Sequence, residues 1–153
     1  MSKHRERSKH RRVSPLFVDT WGWIAIANAR EIAHTAAIQA YRNDEEAGLV
    51  PVTTDYVLDE TISKLFSTFP PHEAEGFCRG VFQAGEARSL RIERITSDRF
   101  KEAYDLRLRY RDKPRISFTD LTSFVVMKEL GLKRVLTEDA HFVQVGLGFE
   151  RVP

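Results

Sequence analysis

The chain has 153 residues, of which 42% are hydrophobic and 30% charged, as expected for one soluble globular domain. No apolar run approaches the ~20 residues of a membrane-spanning helix, and the basic N-terminus lacks the apolar segment of a secretory signal, so we expect a cytoplasmic protein that does not enter a membrane. The single cysteine, Cys78, excludes an internal disulfide framework and a zinc site built from several thiolates.

The net charge of +2 is unevenly distributed along the chain. Residues 3–12 (KHRERSKHRR) hold six Lys or Arg and one Glu, a local charge of +5, which leaves −3 on the remainder. We therefore expect a basic, disordered N-terminal extension over residues 1–12 and one folded domain over residues 13–153.

Apolar runs that predict strands alternate along the chain with periodic segments that predict helices. The first half should form a strand at 16–18, helices at 22–28 and 32–47, a strand at 49–52, and helices from 53–55 to 69 and from 71 to 87. The second half should form a strand at 90–95, helices starting near 97 and 119, and strands at 134–136 and 149–152. This alternation predicts an α/β protein, a three-layer α/β/α domain with a mainly parallel central sheet.

Four acidic residues lie at the ends of predicted strands or in the early turns of predicted helices: Asp19, Glu60, Asp120 and Asp139. In an open α/β sheet such positions border the crevice where ligands bind. Carboxylates gathered there repel one another unless a divalent cation neutralises them. The pattern therefore indicates a Mg²⁺ or Mn²⁺ site and phosphodiester chemistry. No two histidines have the spacing of zinc ligands, which disfavours a zinc hydrolase.

Each of these acids also has a purely structural interpretation. Asp19 and Asp139 can cap the helices that follow them, and Ser117-x-x-Asp120 matches a capping box. Glu60 occupies a position typical of an exposed helical Glu. The four acids are more informative as an ordered set than singly.

Polar side chains next to the acids are candidates for supporting roles in such a site. They are Thr20, Ser117 and Glu138, whereas Thr137 can cap the helix that follows it. Glu138 can share the duty of Asp139, and Asp59 can substitute for Glu60. His141 is interpreted as a surface or packing residue.

The order of the acids and the sequence around them resemble the PIN domain, in particular the VapC-type toxin ribonucleases of bacterial toxin–antitoxin pairs. Four phrases carry the resemblance: FVDTWGWIA, TTDYVLDET, SFTDLTSFVVMKELG and VLTEDAHFVQVGLGFERV. The resemblance covers about residues 15–152, and the last two phrases, with the pattern T-x-D-x-x-F, are the most specific.

The resemblance implies a metal-dependent endoribonuclease with a PIN-like domain over residues 13–153. Its catalytic and metal-binding residues would be Asp19, Glu60, Asp120 and Asp139, assisted by the hydroxyl of Thr137. One or two Mg²⁺ or Mn²⁺ ions would bind the scissile phosphate and activate a water molecule. The resemblance also implies an RNA substrate, a homodimer and a cognate antitoxin protein.

An RNA substrate must bring its negative charge past the acids, so basic residues are needed nearby. Basic side chains are frequent between residues 88 and 115, and Arg107 is among them. The candidates that we assign to RNA binding are Arg109, Arg111, Lys113 and Arg115.

Two other hypotheses remain open at this point. The chain can be a nucleic-acid-binding module without catalysis, in which the acids only cap helices and residues 1–12 supply the affinity. It can also be a PIN-type nuclease that acts on DNA, or in RNA processing rather than as a toxin.

Overall fold

The computed structural model describes residues 13–153, and the predicted basic extension over residues 1–12 lies outside the described residues. Five strands are present in this range: β1 (Leu16–Val18), β2 (Val52–Thr54), β3 (Arg91–Glu93), β4 (Arg134–Leu136) and β5 (Glu150–Val152). Seven helices accompany them: α1 (Thr20–Ala27), α2 (His34–Glu46), α3 (Asp55–Thr68), α4 (Pro71–Glu86), α5 (Ser97–Arg109), α6 (Phe118–Leu130) and α7 (His141–Gln144).

The strands form one sheet in the order β3-β2-β1-β4-β5, and every pairing in it is parallel. The predicted three-layer α/β/α fold is confirmed. The chain runs outward from β1 through β2 to β3 and then returns to the other side of β1 to form β4 and β5. Because the winding reverses between β1 and β4, the carboxyl ends of these two strands border a crevice suited to a ligand.

The start and end of the helices next to this crevice follow from local sequence. The Thr54 hydroxyl accepts a hydrogen bond from the Val57 N–H at 3.0 Å, which caps α3. Gly131, at φ 68°, adopts the left-handed conformation that ends α6. Among the described residues, no helix is both long and apolar enough to cross a membrane.

The second strand begins three residues later than predicted, at Val52 rather than residue 49. Tertiary hydrogen bonds extend it through the two threonines. The Thr53 hydroxyl donates to the Val18 carbonyl at 2.9 Å and accepts the Trp23 indole N–H at 3.1 Å. These contacts tie β2 to β1 and α1, and they could not be foreseen from local propensity.

The core encloses β1, whose three residues are completely buried. An aromatic cluster joins the last part of the chain to this core. Phe124 of α6 and Phe142 of α7 meet edge to face, with ring centroids 4.9 Å apart, and both also pack on Phe149. This contact fixes the short helix α7 against α6.

Close packing also sets the position of α1 on the sheet. Gly22 of α1 lies against the end of β4, where a Cβ atom at position 22 would meet the Leu136 carbonyl oxygen at 2.6 Å. The glycine therefore permits an approach of α1 to the end of β4 that a side chain would prevent.

Candidate active site

A cavity of about 390 Å³ opens beside the carboxyl end of β1. Its lining comes from four separate segments of the chain: Asp19, Thr20, Trp21, Glu60, Lys64, Arg115, Ser117, Asp120, Glu138 and Asp139. The cavity thus brings together all four acids of the predicted metal site. Five acidic and two basic side chains face it, so its formal charge is negative.

Asp19 occupies the first position after β1, and it is only 5% exposed. Its Oδ2 accepts a hydrogen bond from the Thr137 hydroxyl at 2.8 Å. Burial raises the pKa of Asp19 to about 6, against the lowering effect of the Thr137 hydroxyl and the Thr20 backbone N–H. The carboxylates of Glu60 and Asp139 raise this pKa further.

The Thr20 hydroxyl donates to the Val57 carbonyl of α3 at 3.5 Å. Thr20 is 3% exposed and forms the first residue of α1. Its support of Asp19 comes through the backbone N–H rather than through the side chain.

Asp120 lies in the first turn of α6 and is 8% exposed. Its backbone N–H donates to the hydroxyl of Ser117, the N-cap residue, at 3.1 Å. Burial raises the pKa of Asp120 to about 8, and the nearby carboxylates of Asp19 and Asp139 add to the increase. The capping interaction holds the helix end, while the carboxylate itself is left facing the cavity.

Glu60 reaches the cavity from α3 and is the most exposed of the four acids, with 35% of its side chain accessible. Its carboxylate pairs with Lys64, one turn further along the helix, at 3.1 Å. Lys64 therefore lies at the cavity as well, a placement that the sequence analysis did not identify. The neighbouring Asp59 is exposed and does not line the cavity.

Asp139 follows β4 in a tight turn that fixes its carboxylate. Its backbone N–H donates to the Thr137 hydroxyl at 3.1 Å, and its Oδ1 accepts from the His141 backbone N–H at 2.8 Å. The Thr137 hydroxyl thereby links Asp139 to Asp19. Glu138 also lines the cavity.

The structure places His141 beside the acids, a position that its interpretation as a surface or packing residue did not include. Its Nδ1 atom lies 3.0 Å from Oδ1 of Asp139 and 3.9 Å from Oδ2 of Asp120. Ligand atoms of these three residues lie within 4.8 Å of one another. A histidine two positions after an acidic residue is not a recognised metal-binding motif, so the sequence does not indicate this contact. The contact arises because Phe142 of α7 packs against Phe124 of α6.

The donor set fits a hard divalent cation. Four converging carboxylates provide the oxygen ligands that Mg²⁺ and Mn²⁺ take. The raised pKa values of Asp19 and Asp120 show that two of these groups resist ionisation when no cation balances them. A cation at this position would remove that penalty.

Of the four basic residues assigned to RNA binding, Arg115 lines the acidic cavity. Arg109 lines a different cavity, next to Glu102 and Asp105 of α5. Lys113 pairs with Asp112 at 3.3 Å. Neither Lys113 nor Arg111 lines the acidic cavity.

Arg107, another basic residue of this region, has a structural role. Its guanidinium donates hydrogen bonds to the backbone carbonyls of Tyr110, Lys113 and Ile116. It therefore organises the loop that presents Arg115 and Ser117 to the cavity.

A family model of the PIN domain matches residues 16–147. The chain belongs to the PIN domain family. The 23S rRNA-specific endonuclease VapC20 of Mycobacterium tuberculosis is 30% identical over 133 residues, which cover 86% of this chain and 94% of that protein. The resemblance to VapC-type toxin ribonucleases is thus confirmed.

Solved structures agree with this assignment. The crystal structure of Mycobacterium tuberculosis VapC20, described as a Sarcin-Ricin loop cleaving toxin, superposes with a TM-score of 0.73 at 28% identity, covering 86% of this chain and 95% of that one. VapBC2 from Rickettsia felis, solved bound to a DNA fragment from its promoter, superposes with a TM-score of 0.70 over 90% of this chain and 98% of that one. At 13% identity, the second likeness concerns the fold alone.

Proposed function

We propose that this protein is a divalent-metal-dependent endoribonuclease and the toxin of a type II toxin–antitoxin pair. The observation that carries the proposal is the convergence of four acids in one cavity at the switch point of a PIN domain. Mg²⁺ or Mn²⁺ bound by Asp19, Glu60, Asp120 and Asp139 would supply charge stabilisation for a scissile phosphate and activation of a water molecule.

The chain's own residues have three tasks in this proposal. The Thr137 hydroxyl holds Asp19 and the backbone of Asp139 in a fixed relation, so that the ligands are preorganised. Arg115, at the rim, contacts an RNA phosphate and offsets the negative potential of the acids. Arg109, Arg111 and Lys113 would contact RNA further from the scissile bond.

We propose an RNA substrate, and specifically ribosomal RNA. Support comes from VapC20, whose name describes a 23S rRNA-specific endonuclease and whose similarity extends over most of both chains. Intact ribosomes, isolated 23S rRNA, transfer RNA and single-stranded DNA would be incubated with the protein and Mg²⁺ or Mn²⁺. Cleavage of 23S rRNA at one position is the expected result; preferential cleavage of DNA would favour the alternative of a DNA-directed nuclease.

The decisive variant is the pair Asp19→Asn with Asp120→Asn. It should abolish metal-dependent cleavage and leave the fold intact, because burial of both carboxyls disfavours their ionised form and the neutral amides remove that cost. Circular dichroism and thermal unfolding would confirm folding. Asp59→Asn, exposed and outside the cavity, is the matched control. Wild-type cleavage by the double variant would instead favour a binding module whose acids only cap helices.

Two protein partners and a cellular location complete the proposal: a second copy of the chain and an antitoxin, both in the cytoplasm. Exposed apolar side chains on α5 support a contact between copies, since Phe100, Tyr104 and Leu108 recur every four residues and are each about half exposed. Sedimentation analysis would detect the dimer, and Leu108→Lys should weaken it.

An antitoxin would be encoded beside this gene, and its addition should stop cleavage.

A further inference from the structure

The His141 ring nitrogen Nδ1 is a buried polar atom with an unmet bonding requirement. The atom is shielded from solvent and makes no hydrogen bond to any residue within 13–153. Three quarters of the His141 side chain is buried. Buried polar atoms without a partner are rare and unfavourable, so such an atom calls for a ligand.

The short distance from Nδ1 to Asp139 does not meet that requirement. The two atoms are 3.0 Å apart, but the ring nitrogen and the carboxylate oxygen lack the alignment of a hydrogen bond. Oδ1 of Asp139 already accepts the His141 backbone N–H at 2.8 Å. Nδ1 and the two carboxylates of Asp120 and Asp139 therefore surround a common point without satisfying one another.

We propose that Nδ1 of His141 is a nitrogen ligand of the same divalent ion that Asp120 and Asp139 hold. The inference rests on the proposed metal-dependent function and adds a ligand to its site. It requires the neutral ring with its proton on Nε2, which leaves the Nδ1 lone pair free.

The distances between the three ligand atoms agree with this arrangement. At the ~2.1 Å typical of an octahedral ion, adjacent ligand atoms lie about 3.0 Å apart and opposite ones about 4.2 Å. The observed separations from Nδ1, 3.0 Å to Asp139 and 3.9 Å to Asp120, fall within this range.

The packing of α7 holds the imidazole in place. Phe142, the residue after His141, is completely buried and meets Phe124, which is one helical turn beyond Asp120. The ring nitrogen and the Asp120 carboxylate are therefore presented by two helices locked together in the core. Such a rigid arrangement is what a ligand set requires.

A nitrogen ligand changes which ion the site prefers. Mg²⁺ takes oxygen ligands almost exclusively, whereas divalent transition metals accept imidazole. His141 should therefore favour Mn²⁺ over Mg²⁺. Loss of the imidazole should weaken Mn²⁺ binding by at least about tenfold, as for other residues that tune metal sites, and Mg²⁺ binding by less than about threefold.

The test is pulsed electron paramagnetic resonance on the Mn²⁺-loaded full chain without RNA, together with calorimetric titration of Mn²⁺ and Mg²⁺. The wild type should show the modulation of a directly coordinated nitrogen, and ¹⁵N-histidine labelling should change it. His141→Ala should lose the modulation, while His72→Ala, an exposed histidine of α4, should keep it.

The outcomes separate this inference from the proposed function. Mn²⁺ bound by the wild type without a nitrogen signal would overturn the role of His141 and leave the carboxylate site standing. A nitrogen signal that persists in His141→Ala would also overturn it. Failure of the wild type to bind either ion would overturn both proposals. The wild-type spectrum decides the question even if His141→Ala does not fold.

Discussion

The hydroxyl of Thr137 donates a hydrogen bond to Oδ2 of Asp19 at 2.8 Å, joining the residues that directly follow β4 and β1. The parallel register of the two strands, which pairs Val18 with Leu136, makes these residues neighbours. The same hydroxyl accepts the Asp139 backbone N–H at 3.1 Å. One threonine thereby fixes two of the proposed metal ligands, from opposite ends of the domain sequence.

Replacement of Thr137 by valine should weaken metal binding and cleavage by about 10–100-fold, the usual range for a residue that orients metal ligands. Valine matches threonine in shape but cannot donate to Asp19, so the pKa of Asp19 should rise further. Calorimetric titration with Mn²⁺ and a cleavage assay would measure the effect. Thr137→Ser keeps the hydroxyl and should retain most of the activity; equal losses in both variants would show that packing, not the hydrogen bond, matters.

Isosteric substitution can show whether Asp139 or Glu138 supplies the carboxylate that binds the metal ion. The Asp139 carboxylate lies within ligand distance of Asp120 and His141, whereas Glu138 does not belong to this group. Asp139→Asn should therefore reduce cleavage beyond the 10–100-fold typical of supporting residues, and Glu138→Gln should change it far less. Rate measurements at saturating Mn²⁺ would test this, and a larger effect at Glu138 would reverse the assignment.

Arg115 should contribute to RNA binding at the cleavage site, because it lines the acidic cavity. Introduced into a catalytically inactive variant, Arg115→Ala should weaken RNA binding. It should also reduce the slope of log affinity against log salt concentration by about 0.7–0.9, the value of one phosphate contact. Arg109→Ala, in a separate cavity beside acidic residues, is the matched comparison and should have the smaller effect. Fluorescence anisotropy over a salt series would measure both slopes.

The metal-free protein should lose stability as the pH rises. Burial raises the pKa of Asp19 to about 6 and that of Asp120 to about 8, so the folded state binds more protons than the unfolded state above about pH 4. Each group contributes stability that is complete below pH 4 and is lost as the pH approaches its folded pKa. The free energy of unfolding should fall by up to about 1.4 kcal/mol per pH unit for each group.

Above pH 6 only Asp120 contributes to this loss of stability. Asp120→Asn should therefore flatten the decline in the free energy of unfolding between pH 6 and 8. Mn²⁺ competes with these protons, and its stabilising effect should therefore grow over the same range. Urea unfolding at several pH values, with and without Mn²⁺, would measure both trends. A metal-free wild type that becomes more stable from pH 5 to 8 would contradict the raised pKa values.

The contact between α1 and β4 predicts opposite effects for two glycine substitutions. Gly22→Ala should destabilise the protein by about 1–3 kcal/mol, because its methyl group would collide with the Leu136 backbone carbonyl. Gly80→Ala places the same methyl group in open space on α4 and should stabilise by about 0.5–1 kcal/mol. Denaturant unfolding of the two variants would test the difference; similar effects at both sites would argue against the collision.

Sequence periodicity predicted most of the elements, because the residues that define them act locally. Pro71 opens α4, Gly131 ends α6 and Thr54 caps α3, and each acts through its own backbone or through a side-chain contact only three residues away. Local sequence does not decide the burial of each apolar residue, since Phe66 of α3 is 48% exposed although its neighbour Leu65 is buried. Periodicity identifies an apolar face, but the packing partner decides how much of it is covered.

By itself the sequence determined the α/β class, the parallel sheet and the four acids with their order, because these depend on local periodicity and on residue types at strand and helix ends. Only the tertiary structure decided which polar groups meet. In the folded chain, Lys64 and Arg115 line the acidic cavity, whereas Arg109 lines a different cavity. The Nδ1 atom of His141 lies close to the carboxylates of Asp120 and Asp139. Such meetings depend on strand register and helix packing between distant segments, which no local pattern encodes.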